Sequence, residues 1–335
     1  MHKIITCTGF GGTGSSAISD LFKEFDNVKS CGNFEFSLAH EVDGISDLQH
    51  AIVDDFHRNK TTEAIYRFQK LIKLIRKNYR NFFGDKFDAI TDRYISNLVE
   101  TEWMGFWHQH SYRGGEFRMY MLYVIPFVLQ HYIHRIFNKS NYEWVPKQHR
   151  ELMQLSRDKD RFFNATRNYY TELFNELDPD ANYEYLVLDQ LVPSYNYSRY
   201  INYFDNIKII QVDRDPRDLY LLNELFWHEG WIPSENIETY IKWYRLLREN
   251  NMQDCDNKNV LKIQFEDLIL NYDETVNCII NFVGITQPHH INKKRYLNPS
   301  ISIKNLKLWE HYNNYNSEMA LLKTSLKDFL YEPRI

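Results

Sequence analysis

The first residues of the chain constrain its fold more than any other stretch. The short apolar run Ile4–Thr8 is typical of a buried strand, and from Ser15 the apolar residues recur at helical spacing. The turn between strand and helix is rich in glycine: Gly9, Gly11, Gly12 and Gly14. A strand, a glycine-rich turn and a helix present backbone N–H groups and a helix N-terminus to an anion. Glycine permits the positive φ angles that such a loop needs, so the pattern predicts an anion-binding loop.

The loop can be compared with the Walker A pattern G-x-x-x-x-G-K-[ST]. The run Gly9–Ser16 fits every fixed position except the lysine, which is replaced by Ser15. That lysine contacts the β- and γ-phosphates of a nucleoside triphosphate, so its loss favours a ligand with a shorter phosphate chain. The alternative is a glycine-rich turn that binds nothing.

Composition limits the class of protein. With 43% hydrophobic and 25% charged residues over 335 positions, the chain has the composition of a soluble globular protein with a substantial core. The net charge of −5 argues against general binding to nucleic acid or to anionic membranes, so any anion site has to be local. The strand begins almost at the N-terminus, without a signal peptide, and the most apolar window, Met119–Leu129, is too short to span a bilayer. We therefore expect a cytoplasmic protein with no transmembrane segment.

The four cysteines do not form a recognisable site. They are far apart in sequence and none belongs to a C-x-x-C pair, so neither a zinc site nor a disulfide framework is indicated: Cys7, Cys31, Cys255 and Cys278. Two of them lie in apolar runs, where a buried free thiol is the usual outcome.

The organisation along the chain predicts an α/β fold. A second strand at Val28–Ser30 follows the first helix, which favours a right-handed crossover and a mostly parallel sheet. Glu35 then falls just beyond the carboxyl end of that strand, where open α/β sheets bind ligands, and His40 follows closely. From about residue 45 to 180 the pattern is helical, with no clear strand. We expect a single three-layer domain over residues 1–335, with a helical insertion at about 45–180 that shapes the acceptor side.

The α/β pattern returns in the second half of the chain. Apolar strands are predicted at Tyr185–Leu188, before Asp189, and at Ile207–Val212; a last one is predicted at Val260–Phe265. The second of these leads into Arg214, and Asp215 and Pro216 are then suited to the N-cap and the first position of a helix. Arg214 is thereby placed at the same sheet edge as the loop, where a guanidinium suits bidentate binding of phosphate.

With two anion-binding elements on one sheet edge, the chain resembles the sulfotransferases that use 3′-phosphoadenosine-5′-phosphosulfate (PAPS). In that family a lysine-poor, P-loop-like turn binds the 5′-phosphosulfate, and Gly9–Ser16 is similar to it. An R-[DN]-P-x-D element binds the 3′-phosphate, and the run from Arg214 to Asp218 matches it. The segment from Ser302 to Trp309 resembles the C-terminal region that closes over the nucleotide. The resemblance covers both ends of the chain and leaves out residues 45–180.

The resemblance implies a set of nucleotide-binding residues and two departures from the family. The implied set is Gly11, Gly12, Thr13, Gly14, Ser15, Ser16, Arg214, Asn223, Lys304 and Asn305. Many members carry Lys or Arg at the loop position occupied here by Gly12, and a serine where this chain has Leu222, with Asn223 next to it. Other groups then have to stabilise the leaving group. The candidates are Thr13, Ser15 and Ser16 with the loop N–H groups and the helix dipole, or Lys304, or an arginine of the insertion.

The implied reaction is sulfuryl transfer from PAPS to a hydroxyl, with a carbohydrate or glycan as the expected acceptor, 3′,5′-adenosine bisphosphate as the product and no metal. Such a reaction depends mainly on positioning and electrostatics, with a general base near the acceptor hydroxyl. Glu35 is the first candidate for the base, followed by His40 and Asp189.

Two rival functions remain open at this stage. One is a P-loop small-molecule kinase using ATP and Mg²⁺, because Asp189 and Asp213 each end an apolar strand as in a Walker B element. The other is a non-catalytic nucleotide-binding or scaffold protein, suggested by the missing charge at Gly12. The sequence does not identify the acceptor or the oligomeric state.

Overall fold

The computed structural model describes residues 2–137, 144–249 and 257–332, so Cys255 lies outside the described residues. The seven strands are β1 Lys3–Gly9, β2 Val28–Glu35, β3 Thr101–Gly105, β4 Glu151–Leu155, β5 Tyr185–Asp189, β6 Ile207–Asp213 and β7 Val260–Gln264. The first eight helices are α1 Ser15–Phe22, α2 Ile45–Gln49, α3 Lys60–Phe83, α4 Lys86–Leu98, α5 His108–Tyr112, α6 Gly115–Met119, α7 Ile125–Phe137 and α8 Lys159–Leu177. The remaining helices are α9 Tyr197–Tyr200, α10 Pro216–Leu222, α11 Ile237–Glu249, α12 Phe265–Leu270, α13 Tyr272–Val283, α14 Pro299–Ser302 and α15 Asn316–Ser325.

A parallel five-stranded sheet forms the centre of the α/β fold. Its strand order is β2-β5-β1-β6-β7, and every pairing within it is parallel. The inner strands are mostly apolar and buried along nearly their whole length, as expected for strands covered on both faces. The predicted α/β class and the predicted sheet strands are therefore confirmed.

The order of the strands fixes the position of a crevice. From β1 the chain crosses to β2 on one side of the sheet, and β6 pairs with β1 on the other side. Because the strands are parallel, their carboxyl ends meet at one edge, and ligands bind where the direction of winding reverses. The glycine-rich loop leaves β1 at this point.

The described residues divide into two compact units. One comprises residues 2–41, 81–84 and 170–332 and contains the parallel sheet; the other comprises residues 42–80 and 85–169. The core of the first unit surrounds α1 and α13, with Ile18, Phe22 and Ile279 fully buried. One domain with a helical insertion at about 45–180 stays a prediction.

The expectation that residues 45–180 contain no strand is wrong. Strands β3 and β4 pair antiparallel, with Thr101 opposite Leu155 and Gly105 opposite Glu151. The helical pattern is interrupted after α4, which ends at Leu98 because Val99 adopts extended backbone. Both strands are short and β3 is almost wholly exposed, so neither shows the alternation of a half-buried strand. Among the described residues, none of the helices combines the length and apolarity needed to cross a membrane.

Candidate functional site

A cavity of about 500 Å³ lies in the first unit at the carboxyl ends of the parallel strands. The strands end at Gly9, Glu35, Asp189, Asp213 and Gln264, and the residues at or just after several of these ends line the cavity. The polar lining is Ser15, Ser16, Asp20, Asn33, Glu35, Asp189, Arg214, Glu229, Ser302 and Asn305. Gly12, Gly14, Trp227, Trp231, Phe265, Tyr296 and Leu297 are among the rest.

The glycine-rich loop reaches the cavity in a conformation that only glycine adopts easily. Gly12 and Gly14 have φ angles of 66° and 103°. A Cβ atom on Gly14 would lie 2.6 Å from the Phe265 ring, so both the backbone angle and the packing require glycine. Helix α1 begins immediately afterwards at Ser15, and its N-terminal N–H groups and dipole favour an anion in the cavity.

Two predicted loop residues shape the loop and do not line the cavity. The hydroxyl of Thr13 donates to the carbonyl of Val212 over 2.8 Å and is buried. Gly11 lies so close to Trp231 that a Cβ atom would be 2.0 Å from the indole ring. A role for Thr13 or Gly11 in contacting a nucleotide stays a prediction.

Arg214 is a buried cation whose hydrogen bonding is incomplete. Its side chain lies against the Phe265 ring, 4.5 Å from the centroid, and the whole residue is 3% exposed. Nη2 donates to the carbonyl of Asn305 over 2.6 Å, whereas Nε has no hydrogen-bond partner among the described residues. Burial lowers the pKa of the guanidinium, and the negative charge of Asp218 opposes that shift. An anion in the cavity would satisfy this arginine.

The two acids on either side of Arg214 in the sequence, Asp213 and Asp215, are paired with other arginines. Asp213 accepts from Nη2 of Arg248 over 2.6 Å. Asp215 caps α10 by accepting the Arg217 N–H over 2.9 Å, which confirms the predicted cap, and its other oxygen accepts from the Arg217 guanidinium. The run contains two arginines. Arg217 is paired with Asp215, and Arg214 is the one that lines the cavity.

Asp218 fixes the C-terminal segment beside the cavity. Its two oxygens accept the N–H groups of Lys307 and Leu308 over 2.9 and 2.8 Å. Burial raises the pKa of Asp218 to about 6, although Arg214 and these two N–H groups favour the charged form. The result is that Ser302 and Asn305 line the cavity, as the expected return of the C-terminal segment requires.

Glu35 and Asp189 form a carboxylate pair at the edge of the cavity. They are register partners on β2 and β5, Glu35 being exposed and Asp189 only 3% exposed. Burial, and to a smaller degree the charge of Glu35, raises the pKa of Asp189 to about 7, against a hydrogen bond from Ser15. Oδ1 of Asp189 has no hydrogen-bond partner among the described residues. The pair is suited to accept a proton near neutral pH.

Three other predicted site residues lie outside this lining. His40 shares a 2.9 Å hydrogen bond between Nε2 and the carbonyl of Gln190, and burial lowers its pKa. The Asn223 amide donates to the carbonyl of Ile232 and to Ser234 over 3.1 and 2.9 Å, closing the loop after α10. Lys304 is exposed next to Asn305. Roles for His40, Asn223 and Lys304 stay predictions.

Two groups that build the site were not predicted from the sequence. Trp227 and Trp231 pack on the loop glycines, and a Cβ atom on Gly12 would lie 2.9 Å from Trp227. The two indoles flank Gly230 in a short aromatic run, which was the available signal. The second group centres on the buried Glu24, which has no signal in the local sequence.

Glu24 holds the segment that supplies Tyr296 and Leu297 to the cavity. Its Oε1 accepts both of their N–H groups, each over 3.0 Å. Its Oε2 lies 2.7 Å from Nε2 of His290 and accepts from the hydroxyl of Tyr272 over 3.1 Å. A fully buried carboxylate with this many partners fixes the cavity wall.

Comparisons with known proteins give structural neighbours only. No protein-family model matches the sequence, and no curated protein is significantly similar to it. The chain is similar in structure to the sulfotransferase domain of an olefin synthase from Synechococcus, with 13% identity, 89% of this chain and 76% of that chain covered, and a TM-score of 0.41.

Two mycobacterial sulfotransferases are further neighbours. The protein from Mycobacterium avium is 10% identical, with 88% of this chain and 67% of that chain covered and a TM-score of 0.35. The protein from Mycobacterium tuberculosis is 11% identical, with 91% and 76% covered and a TM-score of 0.32. All three neighbours are sulfotransferases by description, the family that the two motifs resemble. These identities and TM-scores are too low to assign an activity.

Proposed function

We propose that the chain transfers a sulfuryl group from PAPS to a hydroxyl group of an acceptor. The observation that supports this most directly is one cavity that joins a glycine-rich loop at a helix N-terminus to the buried Arg214. The loop favours an anion through its N–H groups and the helix dipole, and Arg214 through charge-assisted hydrogen bonds. Two separate anion-binding elements suit a nucleotide with phosphate groups at two positions.

The residues present fit such a donor. The Nε atom of Arg214 is buried and has no hydrogen-bond partner among the described residues, and Gly14 lines the cavity directly before the first N–H groups of α1. We assign the 5′-phosphosulfate to the loop with Ser15 and Ser16, and the 3′-phosphate to Arg214 beside Asn305. The donor supplies the sulfuryl group when bound, and no metal is assigned a role in the proposal.

The carboxylate pair supplies the base. Glu35 lies at the exposed edge of the cavity and is assigned to accept the proton of the acceptor hydroxyl. Asp189, buried beside it with a pKa of about 7, controls the charge of the pair. Replacement of Glu35 by glutamine is expected to abolish turnover and to leave binding of the bisphosphate intact. Unchanged turnover would remove Glu35 from this role.

A carbohydrate is the proposed acceptor class. The cavity of the first unit is lined by the aromatic side chains of Trp227, Trp231 and Tyr296, together with Asn33 and Glu229. An aromatic face with amide and charged groups suits the C–H faces and hydroxyls of a sugar ring. Transfer to sugars in preference to simple phenols is the expected result of an acceptor screen.

The donor assignment is tested by calorimetry. We expect 3′,5′-adenosine bisphosphate to bind the wild type more tightly than ATP–Mg²⁺, and Arg214→Ala to weaken that binding by about ten- to a hundred-fold. Arg217→Ala is the matched control, since Arg217 belongs to the same motif but stacks on Trp309 and does not line the cavity. A preference for ATP–Mg²⁺ would support the kinase hypothesis. Absence of nucleotide binding would contradict both the sulfotransferase and the kinase hypotheses. Binding of PAPS without transfer to any acceptor would indicate a scaffold protein.

A further inference from the structure

A helical segment of the second unit exposes an unusual amount of apolar surface. Helix α6 continues through a π-helical turn, Tyr120–Val124, into α7, and none of the residues of α7 is buried. Six of the exposed side chains are Val128 at 57%, Leu129 at 55%, Tyr132 at 64%, Ile133 at 55%, Ile136 at 54% and Phe137 at 80%. Contiguous apolar surface of this kind marks an interaction site.

The apolar side chains of α7 occupy one broad side of the helix. At about 100° per residue, most of them fall within an arc of roughly 180°. Residues 144–150 cover another stripe of α7. The Gln130 amide exchanges two 2.9 Å hydrogen bonds with the backbone of Lys147, and the His134 ring stacks on the Trp144 ring, with 4.1 Å between the ring centroids. The helix is thus held along one stripe while its apolar arc faces outward.

The charge around this arc is positive, in contrast to the chain as a whole. Arg135, Lys147 and Arg150 are exposed, and over residues 117–150 the sequence has five Lys or Arg and a single acid, Glu143. Arg118, one of the five, is paired with Glu151 at 2.8 Å. In a chain of net charge −5, this is a local cationic region beside an apolar one.

We propose that α7 binds an anionic membrane surface, with its apolar arc in the lipid and its basic residues at the headgroups. A helix with a wide apolar arc, a basic polar side and flanking aromatic residues has the composition of an interfacial helix. A second copy of the chain fits less well, because a two-fold interface would bring two identical cationic regions together. The proposal is independent of the proposed reaction.

Vesicle binding of the full chain tests the proposal. We expect the wild type to co-sediment with vesicles of phosphatidylcholine and phosphatidylglycerol and to bind pure phosphatidylcholine more weakly. The double variant Val128→Glu/Ile133→Glu should bind at least about ten-fold more weakly. The matched control is Leu74→Glu/Leu246→Glu, which alters apolar residues that are 81% and 67% exposed outside α7 and should bind like the wild type.

A charge variant keeps the test decisive if the apolar variant does not fold. Arg135→Glu/Arg150→Glu changes only exposed side chains and should weaken binding to the anionic vesicles by about five-fold or more per residue. Equal binding by wild type and both variants, or no binding to either vesicle, would overturn the proposal. So would a wild-type dimer in light scattering that Val128→Glu/Ile133→Glu dissociates without any vesicle binding, because the arc would then be a self-interface.

Discussion

Two buried arginines near the carboxyl edge of the sheet differ in how completely they are hydrogen-bonded. Arg214 and Arg248 are 3% and 4% exposed. Arg248 donates to both oxygens of Asp213, over 3.0 and 2.6 Å, and lies over the Tyr244 ring at 3.4 Å. Arg214 makes one bond to a carbonyl and leaves Nε unpartnered among the described residues. The two arginines are equally buried but unequally hydrogen-bonded, which separates the Arg248 region, which stabilises the fold, from the Arg214 region, which we propose to bind the donor.

The largest expected effect is the unequal loss of stability when each of the two arginines is replaced by methionine. Arg248→Met leaves Asp213 without its partner and should lower the free energy of unfolding by about 3–5 kcal/mol. Arg214→Met removes one hydrogen bond and a charge near Asp218, which keeps its two N–H donors, so the loss should be smaller, about 1–2 kcal/mol. Urea unfolding of both variants measures this, and equal losses of stability would erase the distinction between the two regions.

The next effect concerns pH and Asp189. Its pKa is about 7 in the folded chain and near 3.8 when unfolded, so the folded state binds the extra proton between these values. Stability contributed by Asp189 is therefore present at low pH and is lost as the pH rises towards 7. Relative to wild type, Asp189→Asn should gain about 2–4 kcal/mol above pH 7 and almost nothing below pH 4.

Unfolding in urea at pH 5 and pH 8 measures this difference. Asp178→Asn serves as a control with the opposite sign, because hydrogen bonds from backbone N–H groups lower the pKa of Asp178 despite its burial penalty. An Asp189→Asn difference that does not grow with pH would mean that the carboxylate is not held protonated in the cavity.

A smaller effect is expected in the loop. Gly14→Ala places a Cβ atom 2.6 Å from Phe265 at a φ of 103°, which should cost about 1–3 kcal/mol and weaken nucleotide binding. Gly230→Ala is the matched control, since a Cβ atom there meets nothing within 4 Å. Denaturant unfolding and calorimetry of the two variants provide the measurement, and identical behaviour would contradict a loop constrained by packing.

The same contrast explains what the sequence could predict. The loop and Arg214 are encoded locally, by glycines after an apolar strand and by an arginine before a capped helix, so both were found at the sheet edge. Asp213 was a Walker B candidate, but its pairing with Arg248 depends on a contact between distant positions. The contacts of Glu24 with residues 290–297 are of the same kind.

The second unit was harder to predict for a different reason. Its two strands pair only with each other across a long stretch of chain, and each is too short to produce a periodic signal. The net charge of the whole chain also does not say where charges collect, such as the basic side chains Arg135, Lys147 and Arg150 beside α7. The pairing of β3 with β4 and the contacts of residues 144–150 with α7 join residues that are separated in the sequence, so local sequence patterns do not reveal them.

The most direct test of the central claim compares two nucleotides on Arg214. Binding of adenosine 5′-monophosphate and of 3′,5′-adenosine bisphosphate is measured by calorimetry on wild type and Arg214→Met. The wild type should prefer the bisphosphate by at least about ten-fold, and the variant should bind both nucleotides equally, with its affinity for the monophosphate unchanged. A preference that survives in Arg214→Met, or no preference in the wild type, would contradict the assignment of Arg214 to a second phosphate group.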